Sequence, residues 1–119
     1  MSILSQGKPA RMRTAYGNNL TDTVEIVYTC PANCSAELTF VHVINAGNST
    51  NSVTVNIYVA AQNYTSNFLA GKSIGSSDYI TFIDIDIILQ PGDEVRVKPN
   101  SAGHIDSILT VTETFIPVG

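Results

Sequence analysis

Cys30 and Cys34 are the only cysteines in the chain, four positions apart around Pro31 in the stretch YTCPANCSAEL. Three chemistries use cysteines at so short a range: metal ligation, thiol redox exchange and disulfide closure. A zinc or iron–sulfur centre needs at least two further ligands at short spacing, and the two histidines, His42 and His104, stand alone. His42 falls in the middle of an apolar run, the usual setting of a packed and hydrogen-bonded imidazole, and His104 falls in a loop. A catalytic redox pair uses C-x-x-C at a helix start, where the dipole lowers the thiol pKa. Here the spacing is one residue longer and the flanks read as strands. The remaining reading is geometric. If the chain turns at Pro31-Ala32-Asn33, the two cysteines face each other across the neck of a three-residue hairpin loop. Facing Cα atoms about 4.5–5.5 Å apart lie within the reach of a disulfide. A bridge is therefore allowed without being required, and thiols in a cytosolically made protein start out reduced.

Other constellations are weaker. Asp84 and Asp86, with Asp78 nearby, hint at calcium, but calcium needs six to eight oxygens and no Asp- and Gly-rich loop supplies them. They read as a solvated strand face. No carboxylate pair, G-x-S-x-G elbow or phosphate loop is present, and Gly71-Lys72-Ser73 lacks the upstream glycine that the last of these needs. Tyr16, Tyr58, Tyr64 and Tyr79 offer rings for a sugar or a protein partner, although the chain has no tryptophan. Asn33, Asn48 and Asn63 match the N-x-[ST] pattern but are assigned no role. The reading is of a protein that is not an enzyme and has no metal or other cofactor.

The elements that would position these residues follow a period of two. TVEIVYTC places Val24, Ile26 and Tyr28 on one face and Glu25 and Val27 on the other. AELTFVHVIN sets Leu38, Phe40, His42 and Ile44 against Thr39, Val41 and Val43, so it is apolar on both sides and central. VTVNIYVA sends Val53, Val55, Ile57 and Val59 inward. NYTSNFLAGKSIGSSD reads as one or two short strands folded over the core edge. YITFIDIDIILQPGD sets Ile83, Ile85, Ile87 and Leu89 opposite Asp84 and Asp86. Pro91-Gly92 fits a type II turn, EVRVKP turns Val95 and Val97 inward, and IDSILTVTETF gathers Leu109, Val111 and Phe115 on one face. About seven or eight short strands with regular turns predict an all-β fold, an antiparallel β-sandwich of jelly-roll-like or immunoglobulin-like topology. A closed barrel is the alternative.

At 119 residues the chain is long enough to bury a core as one domain, read here as residues 21–119. Residues 1–20 lack an apolar period and carry Lys8, Arg11 and Arg13, half of the six basic residues. They read as an extended arm in which these cations and Tyr16 meet a partner. The net charge of −4 argues against nucleic acid and anionic membrane as partners. Charged residues make up only 13% of the chain. A surface so poor in charge suits protein–protein contact, where every buried charge must be desolvated. No apolar run is long enough for a signal-peptide core or a membrane span, so the expectation is a soluble protein made in the cytoplasm.

Three stretches, VYTCPANCSAELTFVHVIN, IILQPGDEVRV and ILTVTETFIPVG, together resemble small β-sandwich virion proteins of tailed bacteriophages, particularly those of marine and cyanobacterial phages. The likeness covers roughly residues 24–119 and rests on the order and spacing of its motifs. Leu89-Gln90-Pro91-Gly92-Asp93 alone would be a common β-protein turn. The matching positions are structural in that family, so no catalytic residue is carried over. The resemblance implies a virion component, made in the host cytoplasm, that binds copies of itself (a trimer being favoured) and the major capsid or other virion proteins. Capsid decoration or cement ranks first, with the arm gripping neighbours. A tail, neck or fibre component ranks second, and a sugar-binding adhesion module on the virion surface is a further alternative.

Overall fold

The computed structural model describes residues 10–116. Nine strands follow one another: β1 (Ala10–Asn19), β2 (Glu25–Thr29), β3 (Cys34–Asn45), β4 (Asn51–Val59), β5 (Tyr64–Ile74), β6 (Tyr79–Phe82), β7 (Ile87–Leu89), β8 (Glu94–Pro99) and β9 (Ile105–Phe115). A single 3-10 turn, Ala60–Gln62, joins β4 to β5. One sheet has the order β1-β9-β3-β6, with β7 also on β3, and the other has β2-β8-β4-β5. Every pairing is antiparallel.

The pairs are nested: β4 with β5, β3 with β6 and β7, β2 with β8, and β1 with β9. This is one long hairpin whose tip is Ala60–Asn63, rolled so that β9 also lies on β3 and β8 on β4. That strand order is a jelly roll with its sixth strand split in two, which resolves the choice against an immunoglobulin-like order. The core is the inward phase of each strand. It includes Leu38, Val41 and Val43 from β3, Val53 and Val55 from β4, Val95 and Val97 from β8, and Ile105, Leu109 and Val111 from β9.

Three expected placements are corrected, each by a break in the period of two. In β2 the register shifts between Ile26 and Tyr28. The bulge turns Tyr28 into the core and leaves Ile26 half exposed, so the two do not share a face. In β3 a shift between Leu38 and Phe40 puts Leu38 inside while Phe40, His42 and Ile44 face out; the bulged Thr39 bonds the Thr110 carbonyl through its hydroxyl. Opposite that bulge the next strand is interrupted. β6 pairs with Val41–Ile44 and β7 with Ala36–Leu38, and between them Asp84 takes φ +55 and Ile83 turns out to solvent. The segment after β4 is one edge strand of 11 residues.

The Cys30–Cys34 turn is not a hairpin. β2 and β3 lie in different sheets, so Pro31–Asn33 crosses from one sheet to the other, and there is no ladder between its two sides. Pro91–Gly92 makes the parallel crossing from β7 to β8. Asp93 donates its N–H to the Gln90 carbonyl at 3.0 Å, with Gly92 at φ +88 as a type II turn requires. The two crossings are stitched side by side: Cys30 N–H donates to the Asp93 carbonyl at 2.8 Å, and Gly92 N–H to the Cys30 carbonyl at 2.9 Å.

The buried Asp93 carboxylate completes this corner by accepting from Ala60 N–H (3.0 Å) and Gln90 N–H (2.8 Å). At the opposite end, buried Asn45 and Asn51 do the same for other loops. Asn45 donates to the Ser49 and Ile74 carbonyls, and Asn51 to the Ser101 carbonyl. Replacing Asp93 by Ala strips two corner N–H groups of their acceptor and is expected to lower the unfolding free energy by about 2–4 kcal/mol. Urea unfolding should show this as a shifted midpoint at constant slope. A change within about 0.5 kcal/mol, ordinary for a surface substitution, would mean that the corner holds without the carboxylate.

Candidate assembly surface

The residues expected to form an arm fall at one corner of the sandwich. Residues 10–19 are β1, an edge strand paired with β9 from Ala10↔Thr114 to Asn19↔Ile105 without a register shift. Half of the expected arm is thus part of the sheet; Lys8 lies outside the described residues. In β1 the alternation sends Arg11 and Arg13 to the core side and Met12 and Tyr16 to the outer side, where they are 73% and 70% exposed.

The arginines answer a carboxylate that sequence reasoning missed. Glu113 is on the inward phase of β9, after Leu109 and Val111, and has no solvent exposure. Arg11 Nε donates to its Oε1 at 2.7 Å and the Tyr28 hydroxyl donates to its Oε2 at 2.5 Å. Arg13 lies 3.6 Å away. Burial alone pushes the Glu113 carboxyl up. The hydrogen bonds from Tyr28 and Arg11 and the charges of Arg11 and Arg13 outweigh it, so its pKa ends below the ordinary value. Tyr28 is pushed far up, first by burial and then by its bond to Glu113. Arg11 also lies over the Phe115 ring, 5.3 Å from its centroid. Because Tyr28 belongs to one sheet and Arg11, Arg13 and Glu113 to the other, this cluster ties the sheets together where β1 begins. The signal was in the sequence: the period of two already put Glu113 between Val111 and Phe115 on the inner face.

Cys30 and Cys34 line the same corner as buried free thiols. Cys30 Sγ points at the Cys34 and Leu89 carbonyls, 3.4 and 3.7 Å away. Burial, with the neighbouring thiol and Glu113 adding to it, pushes the Cys30 pKa up to about 11, the reverse of a reactive cysteine. Among the described residues no group of three or more His, Cys, Asp or Glu side chains gathers to hold a metal ion.

The outer face of the five-stranded sheet carries the exposed side chains of Met12, Tyr16, Tyr79 and Ile88. The register sets Tyr16, Ile108, His42 and Thr81 in one row and Asn18, Asp106, Ile44 and Tyr79 in the next. The His42 ring shares a 2.8 Å hydrogen bond with the Thr81 hydroxyl and packs on Tyr79, with centroids 5.3 Å apart. Among the described residues this face carries no lysine or arginine. Its acids are Asp106, bonded to His104, and Glu37, whose pKa is raised by a hydrogen bond with Asp86. The four tyrosines do not form one platform. Tyr16 and Tyr79 share this face, Tyr64 opens the edge strand β5, and Tyr58 lies beneath Arg96, 4.3 Å from its guanidinium carbon, on the other sheet.

Two measurements test this corner. Glu113 has a folded pKa below its unfolded one, so its contribution is complete above about pH 4.3 and is lost as pH falls through the folded value. Glu113→Gln should cost about 2–3 kcal/mol at neutral pH, and the gap to the parent should close towards acid; parallel stability–pH profiles would rule the charge out. Iodoacetamide at pH 8 should leave both thiols unmodified in the folded protein and alkylate both in denaturant, read by intact mass. Rapid native labelling would refute their burial.

No family model and no curated protein sequence matches the chain. Solved structures do. A chain of the acidic stable capsid of Helicobacter pylori bacteriophage KHP30 aligns at TM-score 0.58 and 17% identity, over 94% of this chain and 96% of that one. A chain of the disulfide-linked pili of Bacillus endospore appendages aligns at TM-score 0.52 and 12% identity, over 92% and 91%. A chain of infectious bursal disease virus, Gx strain, aligns at 0.55 and 8% identity over 92% of this chain, which spans about a third (33%) of that longer one. The likeness is one of fold: this chain has a β-sandwich of the kind found in viral capsids.

Proposed function

We propose that the chain is a non-enzymatic structural protein of a bacteriophage virion and, within that class, a capsid decoration or cement protein. The observation that carries the reading is the end-to-end match of this single jelly roll with a phage capsid chain of similar length. A broad outer face bearing Tyr16, His42, Ile108 and Tyr79 but no basic side chain supports it, because such a face can be buried without desolvating lysine or arginine. Copies that bind only the assembled lattice would stabilise it by mass action. A tail, neck or fibre part is the second reading, favoured by the similarly end-to-end likeness to a filamentous appendage. The arm's proposed grip narrows to residues 1–9, since removing 1–20 would take β1 and the partners of Glu113 away.

The test is recovery and add-back. Decoration predicts that the chain co-purifies with full capsids at a fixed ratio to the major capsid protein. Stripped capsids should melt at lower temperature and regain their stability when the chain is returned, and deletion of residues 1–9 should abolish rebinding while the isolated domain keeps its Tm. Recovery only with detached tails would replace decoration by the tail reading, and absence from particles would remove both.

A further inference from the structure

We propose that β1 is a self-pairing edge: two copies of the chain join antiparallel through β1 about a twofold axis at Thr14, making one continuous sheet. This goes beyond the virion reading and does not rest on it.

Edge strands expose unpaired backbone groups, and proteins normally blunt them. Three of the four edges here are blunted. β2 has five residues and a bulge. β5 is broken by register shifts on both sides of Val55 and carries Gly71 at φ +57 followed by Lys72. β6 and β7 are four and three residues long, separated by Asp84 at φ +55. β1 has ten residues in unbroken register.

The direction of its free groups follows from one bond. Asn18 N–H donates to the Glu25 carboxylate at 3.0 Å and so points away from β9. Backbone groups alternate along an antiparallel strand, so Ala10, Met12, Thr14 and Tyr16 also present theirs to the edge that, among the described residues, no other strand pairs with.

An axis normal to the sheet at Thr14 pairs Thr14 with Thr14 of the second copy and Met12 with its Tyr16, and the reverse. Two of the most exposed apolar side chains in the protein then cover each other, a sulfur–aromatic contact. On the inner side Arg13 meets Ala15, and Arg11 meets Gly17 of the second copy. Glu25 stands over that glycine, its Oε1 3.5 Å from where a Cβ would be, so Arg11 arrives beside a carboxylate. Moving the axis to Met12 sets Arg11 against Arg13, and moving it to Arg13 sets that residue against itself, both like-charge pairs. Moving it to Tyr16 brings Asn18, whose N–H is already taken, from the end of the ladder opposite Ala10 to a place beside its centre opposite Thr14.

The full-length protein tests this. Sedimentation equilibrium should show a dimer, and Thr14→Pro, whose missing N–H points to the edge and not to β9, should weaken it at least about tenfold while the monomer stays folded. With diamide as thiol oxidant, Thr14→Cys should form a covalent dimer. Met12→Cys and Tyr16→Cys should each stay unlinked alone and link when mixed. A chain that is monomeric up to about millimolar concentration, or cysteines that link equally at all three positions, would overturn the proposal.

Discussion

Glu113 is a carboxylate without access to solvent, and such a group can stay ionised only if the protein replaces the water it lost. Here the replacements come from three directions: Tyr28 across the sheet gap, Arg11 from the neighbouring strand, and the more distant charge of Arg13. The arrangement fixes more than a charge. β1 carries mostly exposed side chains and buries only Gly17 and Asn19, so apolar packing alone would hold it weakly. Its attachment at the Arg11 end depends on Glu113, and the regular edge it offers depends on that attachment. The half-exposed arginines (49% and 51%) let the cluster trade charge with solvent on one side while the carboxylate stays dry on the other.

The two ends of the sandwich solve one problem with different side chains. Each time the chain crosses between sheets it leaves ladder geometry, and its N–H and C=O groups need partners. Asp93 supplies two acceptors at the end where Pro31 and Pro91 turn the chain. Asparagine, both donor and acceptor, serves at the other end: Asn51 donates to the Ser101 carbonyl and accepts from the Ser101 N–H. A low charge content therefore does not mean an idle polar inventory. Many of the Asn and Asp residues are structural members of the corners.

Much of this was legible in the sequence. The period of two in VTVNIYVA and EVRVKP placed Val53, Val55, Val95 and Val97 in the core, and Pro91-Gly92 announced its turn. What was not legible has a common origin. A bulge adds one residue and inverts the phase of everything after it, so faces read across Val27 or Thr39 came out mixed, and a hairpin was inferred where the chain changes sheet. Local spacing cannot distinguish a turn within a sheet from a crossing between sheets, because that depends on which distant strand is the partner. Arg11 and Arg13 read as arm cations that meet a partner molecule because their counter-ion in the same chain is about a hundred residues away in sequence (|i−j| 102 for Arg11). The cysteines looked like chemistry because of their type, yet their role here is to fill a small apolar space where two crossings meet.

The nesting of the strand pairs also orders the entropy of closure. The tip, Ala60–Asn63, joins β4 to β5, two strands that are paired and also consecutive, and each pair outside it can close cheaply once the one inside has formed. Formed alone, β1 with β9 would have to gather the whole intervening chain; formed last, it adds only a strand to an existing sheet. Contacts so distant in sequence are the slow ones in folding. If β1 pairs last, as this entropy favours, the open edge is completed on a body whose core has already been sealed, which separates the strand proposed to self-pair from the exposed apolar segments of the folding chain.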